Sequence, residues 1–264
     1  MVTGATKNED SSLLMAWSGN HLQWLHCQGM TVLRSETIAV ADSKALRKAL
    51  RDIKSELEGV GLVQFATDLP YFSMAPSRVA LGREKALQTL HLGGDAILPV
   101  SFYSEAFGEE ASLIEQDLPG FQDEVEAIWP RAKRVSMALM FLESVVLETR
   151  KNVSAGCVAI HVGHERALMA LFAEGGLMWS MTTDDLAGDG ILYHVVNAIK
   201  RQERTEELEM EVLLTGQVEE NGELMQSFNR FFERVEVKAP EVEWERVPSH
   251  PQHASTLTRM LPCA

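Results

Sequence analysis

The chain has 264 residues, of which 45% are hydrophobic and 23% charged, and its formal net charge is −14. This composition is ordinary for a globular protein, and the length suits one large domain or two smaller ones. The acidic balance disfavours a broad nucleic-acid-binding face, because such a face needs clustered lysines and arginines to neutralise phosphates. Nucleic acid is therefore not an expected partner.

The cysteines and the N-terminus favour a cytoplasmic location. Cys27, Cys157 and Cys263 are odd in number and lie far apart, which indicates neither a disulfide framework nor a zinc knuckle. Residues 1–10 are polar and contain no apolar signal core, so we expect a disordered N-terminus. No apolar run reaches the roughly 18 residues that a membrane span needs, so direct membrane insertion is not expected.

The first half of the sequence predicts three strands, a helix and a fourth strand. The segments "LLMAW", "HLQWLHC" and "TVLRSETIAV" are separated by the turns "SGN" and "QGM". The helix "DSKALRKALRDIKSELEGVG" follows, with apolar residues at helical spacing, Asp42 or Ser43 as N-cap, and a stop at Gly59 or Gly61. The apolar segment "LVQFAT" then predicts a buried strand.

The same order of elements returns from Gly156. The strands "CVAIHV", "RALMALFA" and "LMWSMTT" precede the helix "DDLAGDGILYHVVNAIKRQ" and the strand "EVLLTG". Asp184 and Asp185 suit the N-cap and first turn of that helix. In both copies about 28 residues separate the first strand from the helix start, and chance seldom reproduces order and spacing together.

The repeat predicts an α/β fold of two lobes, each a β-β-β-α-β unit. We expect residues 11–150 to form the first lobe and residues 151–264 to form the second lobe with a C-terminal tail. A helix, "KRVSMALMFLESVVLETRK", connects the copies. Residues 67–130 are rich in turns and acids, so we expect the lobes to differ there.

A duplicated β-β-β-α-β unit resembles the actin-like ATPase superfamily, whose lobes have a ribonuclease-H-like core. Residues 156–216 look most like the second half of PilM-type and FtsA-type proteins. Nearly end to end, the chain also resembles a family of bacterial proteins, mainly from Bacteroidetes, whose name supplies no activity. The segments that carry this match are "MAPSRVAL", "LMWSMTTDDLAGDGILYHVV", "VLLTGQVEENGELMQSF" and "HPQHASTLTRMLPC".

This resemblance also implies the residues of a nucleotide cleft formed by two hairpin turns and a third loop. In nucleotide-using relatives the backbone N–H groups of the turns face the phosphates, and small residues let the phosphates approach. The residues at the matching positions are Ser18, Gly19 and Asn20 in the first turn, Gly163 and His164 in the second turn, and Gly216 in the adenosine loop.

The charged groups that such a cleft uses are missing from these positions. Relatives place an aspartate before each turn glycine, as D-x-G, to hold magnesium, whereas this chain has Trp17, or Ala16 in another register, and His161. The segment "SGNHLQW" lacks the lysine that often follows the first turn, and the glutamates of "TGQVEENG" would repel a triphosphate. We therefore expect a degenerate site without catalytic residues, cofactor or metal.

The leading hypothesis is a non-catalytic scaffold or adaptor that binds a protein or peptide partner. The resemblance implies such partners, because PilM-like relatives bind short peptide segments of membrane-anchored proteins and FtsA-like relatives polymerise. In this hypothesis His161 marks a lost acidic site, and the alternative is a half-buried strand residue hydrogen-bonded to a neighbour.

Two other hypotheses remain open. One is an ATP-binding switch of the same fold, with magnesium and weak or no hydrolysis, in which the six residues of the turns and loop contact the nucleotide. The other is a metal-dependent hydrolase in which His161, His164 and the acids of "DDLAGDG" bind zinc or iron. Against the metal, residues three apart across a tight turn do not generally converge as helical ligands do.

Overall fold

A computed structural model describes most of the chain, and the strands of the described residues form three sheets. The described residues are 11–57, 59–76, 102–107, 111–116, 118, 120–149, 156–174, 176–202 and 208–261. The predicted disordered residues 1–10 lie outside these ranges. In the described part of the chain, no helix is long and apolar enough to cross a membrane.

The first repeat has the predicted order of elements. They are β1 (Ser11–Trp17), β2 (His21–Gln28), β3 (Thr31–Ala39), α1 (Ser43–Glu56) and β4 (Leu62–Thr67). Strand β1 pairs antiparallel with β2 and parallel with β4, and α1 is the connection that this parallel pairing needs. Helix α1 begins after Asp42, whose Oδ1 accepts a hydrogen bond from the Ala45 N–H at 2.7 Å.

A small antiparallel sheet follows β4, in the region where the lobes were expected to differ. Its strands are β5 (Phe72–Pro76), β6 (Phe102–Phe107) and β7 (Ala111–Gln116), with β7 in the centre. The chain continues through α2 (Phe121–Ile128), β8 (Lys133–Arg134), which pairs parallel with β4, and α3 (Met137–Thr149). Helix α3 is the predicted connecting helix, and its buried face includes Phe141 and Leu142.

The second repeat has the same topology as the first. Its elements are β9 (Gly156–Val162), β10 (Ala167–Ala173), β11 (Gly176–Thr183), α4 (Gly188–Arg201), β12 (Met210–Gly216), α5 (Glu223–Asn229) and β13 (Arg234–Val237). The order β11-β10-β9-β12-β13 corresponds to β3-β2-β1-β4-β8 in the first sheet. The predicted duplication is therefore confirmed, and each unit continues with one further helix and one further parallel strand.

The predicted start of the second-repeat helix is wrong by four residues. Helix α4 begins at Gly188 with Ala187 as N-cap, not at Asp184 or Asp185. The Thr183 Oγ1 accepts a hydrogen bond from the Asp185 N–H, and the Asp185 Oδ1 accepts one from the Ala187 N–H, both at 3.1 Å. These acidic residues therefore form the turn between β11 and α4, because side-chain acceptors stabilise a turn as readily as a helix start.

The end of the chain passes from the second repeat to the first. Strand β14 (Glu243–Trp244) pairs parallel with β3, and a short 3₁₀ segment (Pro251–Ala254) leads into α6 (Ser255–Thr258). Helix α6 contacts β1, β12 and α3, so it packs against both repeats. Its buried neighbours form one apolar cluster, which includes Leu14, Ala16, Leu25, Met137, Leu257, Met260 and Leu261.

Candidate functional site

The two hairpin turns of the predicted cleft lie directly against each other. The first turn is residues 18–20, between β1 and β2, and the second turn is residues 163–166, between β9 and β10. The Asn20 Nδ2 donates a hydrogen bond of 2.5 Å to the Glu165 Oε1. The rings of His21 and His164 stack, with centroids 4.5 Å apart and planes inclined by 13°. The chain's own side chains thus occupy the space between the turns.

The polar groups of the first turn bind one another. The Ser18 Oγ accepts a hydrogen bond from the His21 N–H at 3.1 Å and donates one to the Asn20 Oδ1 at 3.1 Å. The His21 Nδ1 lies 2.5 Å from the same Asn20 oxygen. Gly19 has φ of +109°, a conformation that favours glycine whatever ligand the turn meets.

The glycines of the second turn and the adenosine loop allow close packing within the protein. Gly216 has φ of +86°, and a Cβ there would lie 2.1 Å from the Val162 carbonyl oxygen. A Cβ on Gly163 would lie 3.0 Å from both the Asp68 Oδ2 and the Leu69 Cδ1. Both residues therefore have a packing reason to be glycine, independent of any phosphate.

The loop after β12 completes the cluster. The Gln217 N–H donates a hydrogen bond of 2.7 Å to the Val162 carbonyl, and the Gln217 Nε2 lies 3.4 Å from the His164 Nε2. The structure thus brings together all six residues predicted from the resemblance: Ser18, Gly19, Asn20, Gly163, His164 and Gly216. Their contact with a nucleotide stays a prediction.

Asp68 is a carboxylate of this site that the sequence-based prediction missed. It follows β4, and its Oδ2 accepts a weak hydrogen bond from the His164 N–H at 3.5 Å. Burial among protein atoms raises the pKa of Asp68 to about 6, although its side chain keeps some exposed surface and the His164 N–H and Arg166 act in the opposite direction. The sequence signal that could have identified Asp68 is its position directly after β4, a strand that lies parallel to β1.

The C-terminal segment enters the same cluster, which the sequence did not indicate. The His253 carbonyl accepts a hydrogen bond from the Gln23 Nε2 at 2.9 Å, and the Gln252 Nε2 donates one to the Val218 carbonyl at 2.8 Å. Burial, together with nearby His21 and His253, lowers the pKa of His164. The cleft is therefore a histidine-rich contact among both repeats and the tail.

His161 is a buried strand residue rather than the centre of a reactive site. Its side chain is only 3% exposed, and its Nδ1 lies 2.9 Å from the Thr215 Oγ1. Burial, with smaller effects of Arg259 and His164, lowers the pKa of His161 to about 3, so the imidazole is neutral near pH 7. The alternative of a hydrogen-bonded strand residue is supported, with deeper burial than expected.

The acids of the proposed metal site have other partners. Asp184 accepts a hydrogen bond from the Tyr71 hydroxyl at 3.4 Å, and Asp189 accepts one from the Ser227 hydroxyl at 3.0 Å. Among the described residues, no group of three histidine, cysteine, aspartate or glutamate side chains has an arrangement that suits a metal ion. The structure therefore does not assemble the cluster on which the metal-dependent hydrolase hypothesis depends.

Comparison with known proteins identifies the fold. No protein-family model and no curated protein matches the chain. A Bacteroides thetaiotaomicron protein with an actin-like ATPase fold and unknown function has a TM-score of 0.74 at 14% identity, with 98% of each chain covered. A chain of a PilM–PilN type IV pilus biogenesis complex has a TM-score of 0.57 at 11% identity, covering 94% of this chain and 95% of that one.

A third similar structure is the cytoplasmic domain of EpsL, an inner membrane component of the type II secretion system of Vibrio cholerae. Its TM-score is 0.51 at 15% identity, with 94% of this chain and 93% of that chain covered. These similarities and the duplicated topology show that the chain has the actin-like ATPase fold. The predicted resemblance to a Bacteroides protein and to PilM is confirmed at the level of the fold.

Proposed function

We propose that this actin-like protein is a non-catalytic scaffold that binds a protein or peptide partner and does not use ATP. The observation that carries the proposal is the direct contact between the two turns, with His21 and His164 stacked at 4.5 Å. Phosphate binding by such turns needs backbone N–H groups that face the ligand. Here the backbone N–H of His164 faces Asp68, and the Asn20 side chain, through its Nδ2, binds Glu165 across the space between the turns.

The charges around the turns also support a site without nucleotide. Glu165 lies in the second turn, Asp68 lies beside it, and Glu219 follows the adenosine loop. With a pKa of about 6, Asp68 is largely ionised at pH 7. These carboxylates would repel a triphosphate at close range, and no lysine of the first turn offsets them.

The kind of partner is proposed from the similar folds. One of them is a chain of a PilM–PilN complex, and another is the cytoplasmic domain of an inner membrane component of a secretion system. We extend this to a protein or peptide partner of the present chain, including a membrane-anchored one, met in the cytoplasm. The cysteine pattern and the acidic charge of the sequence agree with that setting.

The second candidate is an ATP-binding switch of the same fold. It is favoured by the convergence of the six predicted contact residues at one place between the repeats. The contacts that close the turns are between polar side chains, so a local opening of the turns would expose their N–H groups while the apolar core that joins the repeats stays buried. Weak hydrolysis or none is expected from such a switch, because neither turn has the D-x-G aspartate.

Thermal unfolding with and without millimolar ATP and magnesium separates the two candidates. A ligand at about 100 times its dissociation constant stabilises a protein by roughly 2.7 kcal/mol, which raises Tm by about 5 to 10 °C for a chain of this size. The scaffold predicts no increase, and a reproducible increase would overturn it in favour of the switch.

Paired variants locate any nucleotide effect that is seen. Asn20→Asp places a further carboxylate in the first turn, whereas Asn229→Asp makes the same chemical change at the exposed end of α5. Binding in the cleft requires that Asn20→Asp removes the ATP-dependent increase in Tm and that Asn229→Asp retains it. Equal increases in both variants would assign ATP to another surface.

A further inference from the structure

Helix α1 carries a concentration of positive charge on an acidic protein. It contains five basic residues and two acidic ones within 14 positions, while the whole chain has a net charge of −14. Its apolar face is buried on the first sheet through Leu46, Ala49, Leu50 and Ile53. The basic side chains therefore lie on the exposed part of the helix, where they are available to a partner.

Three of these cations border a groove between α1 and α2, which we call the basic groove. Arg47, Arg51 and Lys54 follow the i, i+4, i+7 spacing of one helix face. They border a cavity of about 1000 Å³, and a neighbouring cavity of about 600 Å³ shares several of the same residues. The residues common to both cavities are Lys54, Gly59, Val60, Ile128 and Trp129.

The basic groove is held in shape by two of its cations. Arg47 binds Glu124 through two hydrogen bonds, from Nε at 2.7 Å and from Nη2 at 2.5 Å. Lys54 donates from its Nζ to the Ile128 carbonyl at 2.5 Å. These contacts join α1 to α2, so the groove exists before any partner arrives, which lowers the entropy lost on binding.

Other cations of the groove have no such structural contact. Arg51 and Arg131 are exposed, and neither forms an ion pair in the part of the chain that the structure describes. The larger cavity is lined by three cations and by two acids, Asp123 and the Arg47-bound Glu124, and Arg131 adds a positive charge in the neighbouring cavity. Between the charged rims, half-buried Trp129, Ile128 and Val60 provide an apolar floor.

We propose that the basic groove binds an acidic peptide segment of a partner protein, with one apolar side chain of that segment on the Trp129 floor. Aromatic residues and arginines are the side chains that most often dominate binding energy at interfaces. At contact distance the positive charge of the groove is complementary to an acidic segment and repels a basic one. The inference rests on the proposed scaffold function, to which it adds a site and a partner chemistry.

Two other occupants fit the groove less well. A second copy of this chain has the same net charge of −14, so the overall electrostatic interaction between copies is repulsive. Nucleic acid needs a longer track of cations to replace its counterions, and this groove is one helix face. An acidic peptide needs only two or three cations and an apolar contact, which the groove provides.

Binding of labelled synthetic peptides tests the inference. The probes are short peptides that combine glutamates with a single leucine or tryptophan, and control peptides carry lysine in place of every glutamate. Fluorescence anisotropy is expected to show binding of the acidic peptides, weakened about tenfold or more by high salt, and none of the lysine peptides. Equal binding of both sets, or binding of neither, would overturn the proposal.

A matched pair of variants on α1 assigns the binding to the groove. Arg51→Glu reverses a charge that borders the groove, whereas Lys48→Glu makes the same change at an exposed position that does not line it. We expect Arg51→Glu to weaken peptide binding by at least about tenfold and Lys48→Glu by less than about twofold. Equal losses would indicate that any exposed cation of α1 attracts the peptide and would contradict a defined groove.

Two controls distinguish this inference from its alternatives. Sedimentation of the protein without peptide is expected to be unchanged by Arg51→Glu, and a change would make this face a contact between copies instead of a peptide site. The anisotropy experiment contains no nucleotide, so its outcome does not depend on the cleft. If ATP stabilises the protein and the acidic peptides still bind, only the proposal that the scaffold does not use ATP is overturned. If neither ATP nor the acidic peptides bind, only the proposal of a peptide site in the basic groove is overturned.

Discussion

The imidazole of His161 lies on the central strand β9, between Thr215 and the ring of Phe141. The His161 and Phe141 ring centroids are 5.9 Å apart, and the hydrogen bond to Thr215 is the polar contact of Nδ1. In this enclosure a charged imidazolium loses its hydration, so the neutral form is favoured. The position that the resemblance assigns to a magnesium-binding carboxylate therefore holds a neutral side chain.

Acidification is expected to destabilise the protein partly through His161. Its pKa is about 3 in the folded protein and near 6.5 in the unfolded chain, so the unfolded state binds more protons between these values. The contribution of His161 to the free energy of unfolding is fully present above about pH 6.5 and falls as the pH decreases. At pH 5 about 2 kcal/mol of it is lost. Urea unfolding at pH 7.5 and pH 5 measures this loss.

Between pH 7.5 and pH 5 the free energy of unfolding of His161→Gln is expected to decrease by about 2 kcal/mol less than that of the parent protein, because glutamine does not titrate. His194→Gln, on α4, is the matched control and is expected to keep the parental loss. Asp68 acts in the opposite direction, since its raised pKa of about 6 makes stability increase as the pH falls toward 4. Its contribution is common to all three proteins, so an unchanged loss in His161→Gln would contradict the prediction.

At the scale of elements, the backbone at the end of β12 is in direct contact with the backbone at the end of β9, where the second turn begins. The Gln217 N–H binds the Val162 carbonyl at 2.7 Å, and Gly216 leaves no room for a side chain. The strands themselves follow from the apolar pattern of the sequence. Helix α5, with seven residues, and strand β8, with two, are too short to give a periodic signal, and the predicted unit therefore ended at its fourth strand.

Gly216→Ala is expected to destabilise the protein by at least about 3 kcal/mol, because its Cβ would collide with the Val162 carbonyl in addition to the strain of positive φ. Gly59→Ala is the matched control. Gly59 has φ of +84°, close to that of Gly216, but nothing lies within 4 Å of a Cβ there. We expect a loss of about 1 kcal/mol for Gly59→Ala in urea unfolding, and similar losses in both variants would contradict this packing.

At the scale of the whole molecule, α3 and the C-terminal segment join the two repeats. Leu257 of α6 is 1% exposed and belongs to an apolar cluster with Leu14 and Leu25 of the first sheet. Helix α6 also contacts β12 of the second sheet. A second buried cluster combines Leu69, which follows β4, with residues of α3 and with Leu168 of β10. Because this second cluster and α6 join the two repeats, we expect the repeats to unfold together rather than as independent domains.

Leu257→Ala is expected to lower the stability of the entire protein by about 2 to 4 kcal/mol, the usual loss for a buried leucine. Leu147→Ala, on α3, is the control, because Leu147 is 61% exposed and its loss is expected within about 0.5 kcal/mol. Urea unfolding followed by tryptophan fluorescence and by far-UV circular dichroism should give one coincident transition in both variants. Separate transitions in Leu257→Ala would show that the repeats are stabilised independently.

The duplicated fold could be inferred from the sequence, because strand alternation, helical periodicity and turn glycines are local patterns, whereas the six predicted contact residues followed from the resemblance to actin-like proteins. The repeat places Gly19 and Gly163 after corresponding strands, β1 and β9, and the structure brings the end of β12, with Gly216, to the second of these turns. Asp68 and the C-terminal segment were missed because each enters the site only through the packing of distant elements. The basic residues of α1 are visible in the sequence, but their proximity to Trp129 is not.

The tertiary structure alone decided that the two turns touch. Asn20 and Glu165 are 145 positions apart, and the residues of the stacked rings, His21 and His164, are almost as far apart in the sequence. Local propensities determine where each turn forms, but the separation between turns depends on how α3, the tail and two sheets pack around a shared core. Hydrogen bonds and ring contacts act over a few ångströms, so only that packing determines whether the cleft is open or filled by its own side chains.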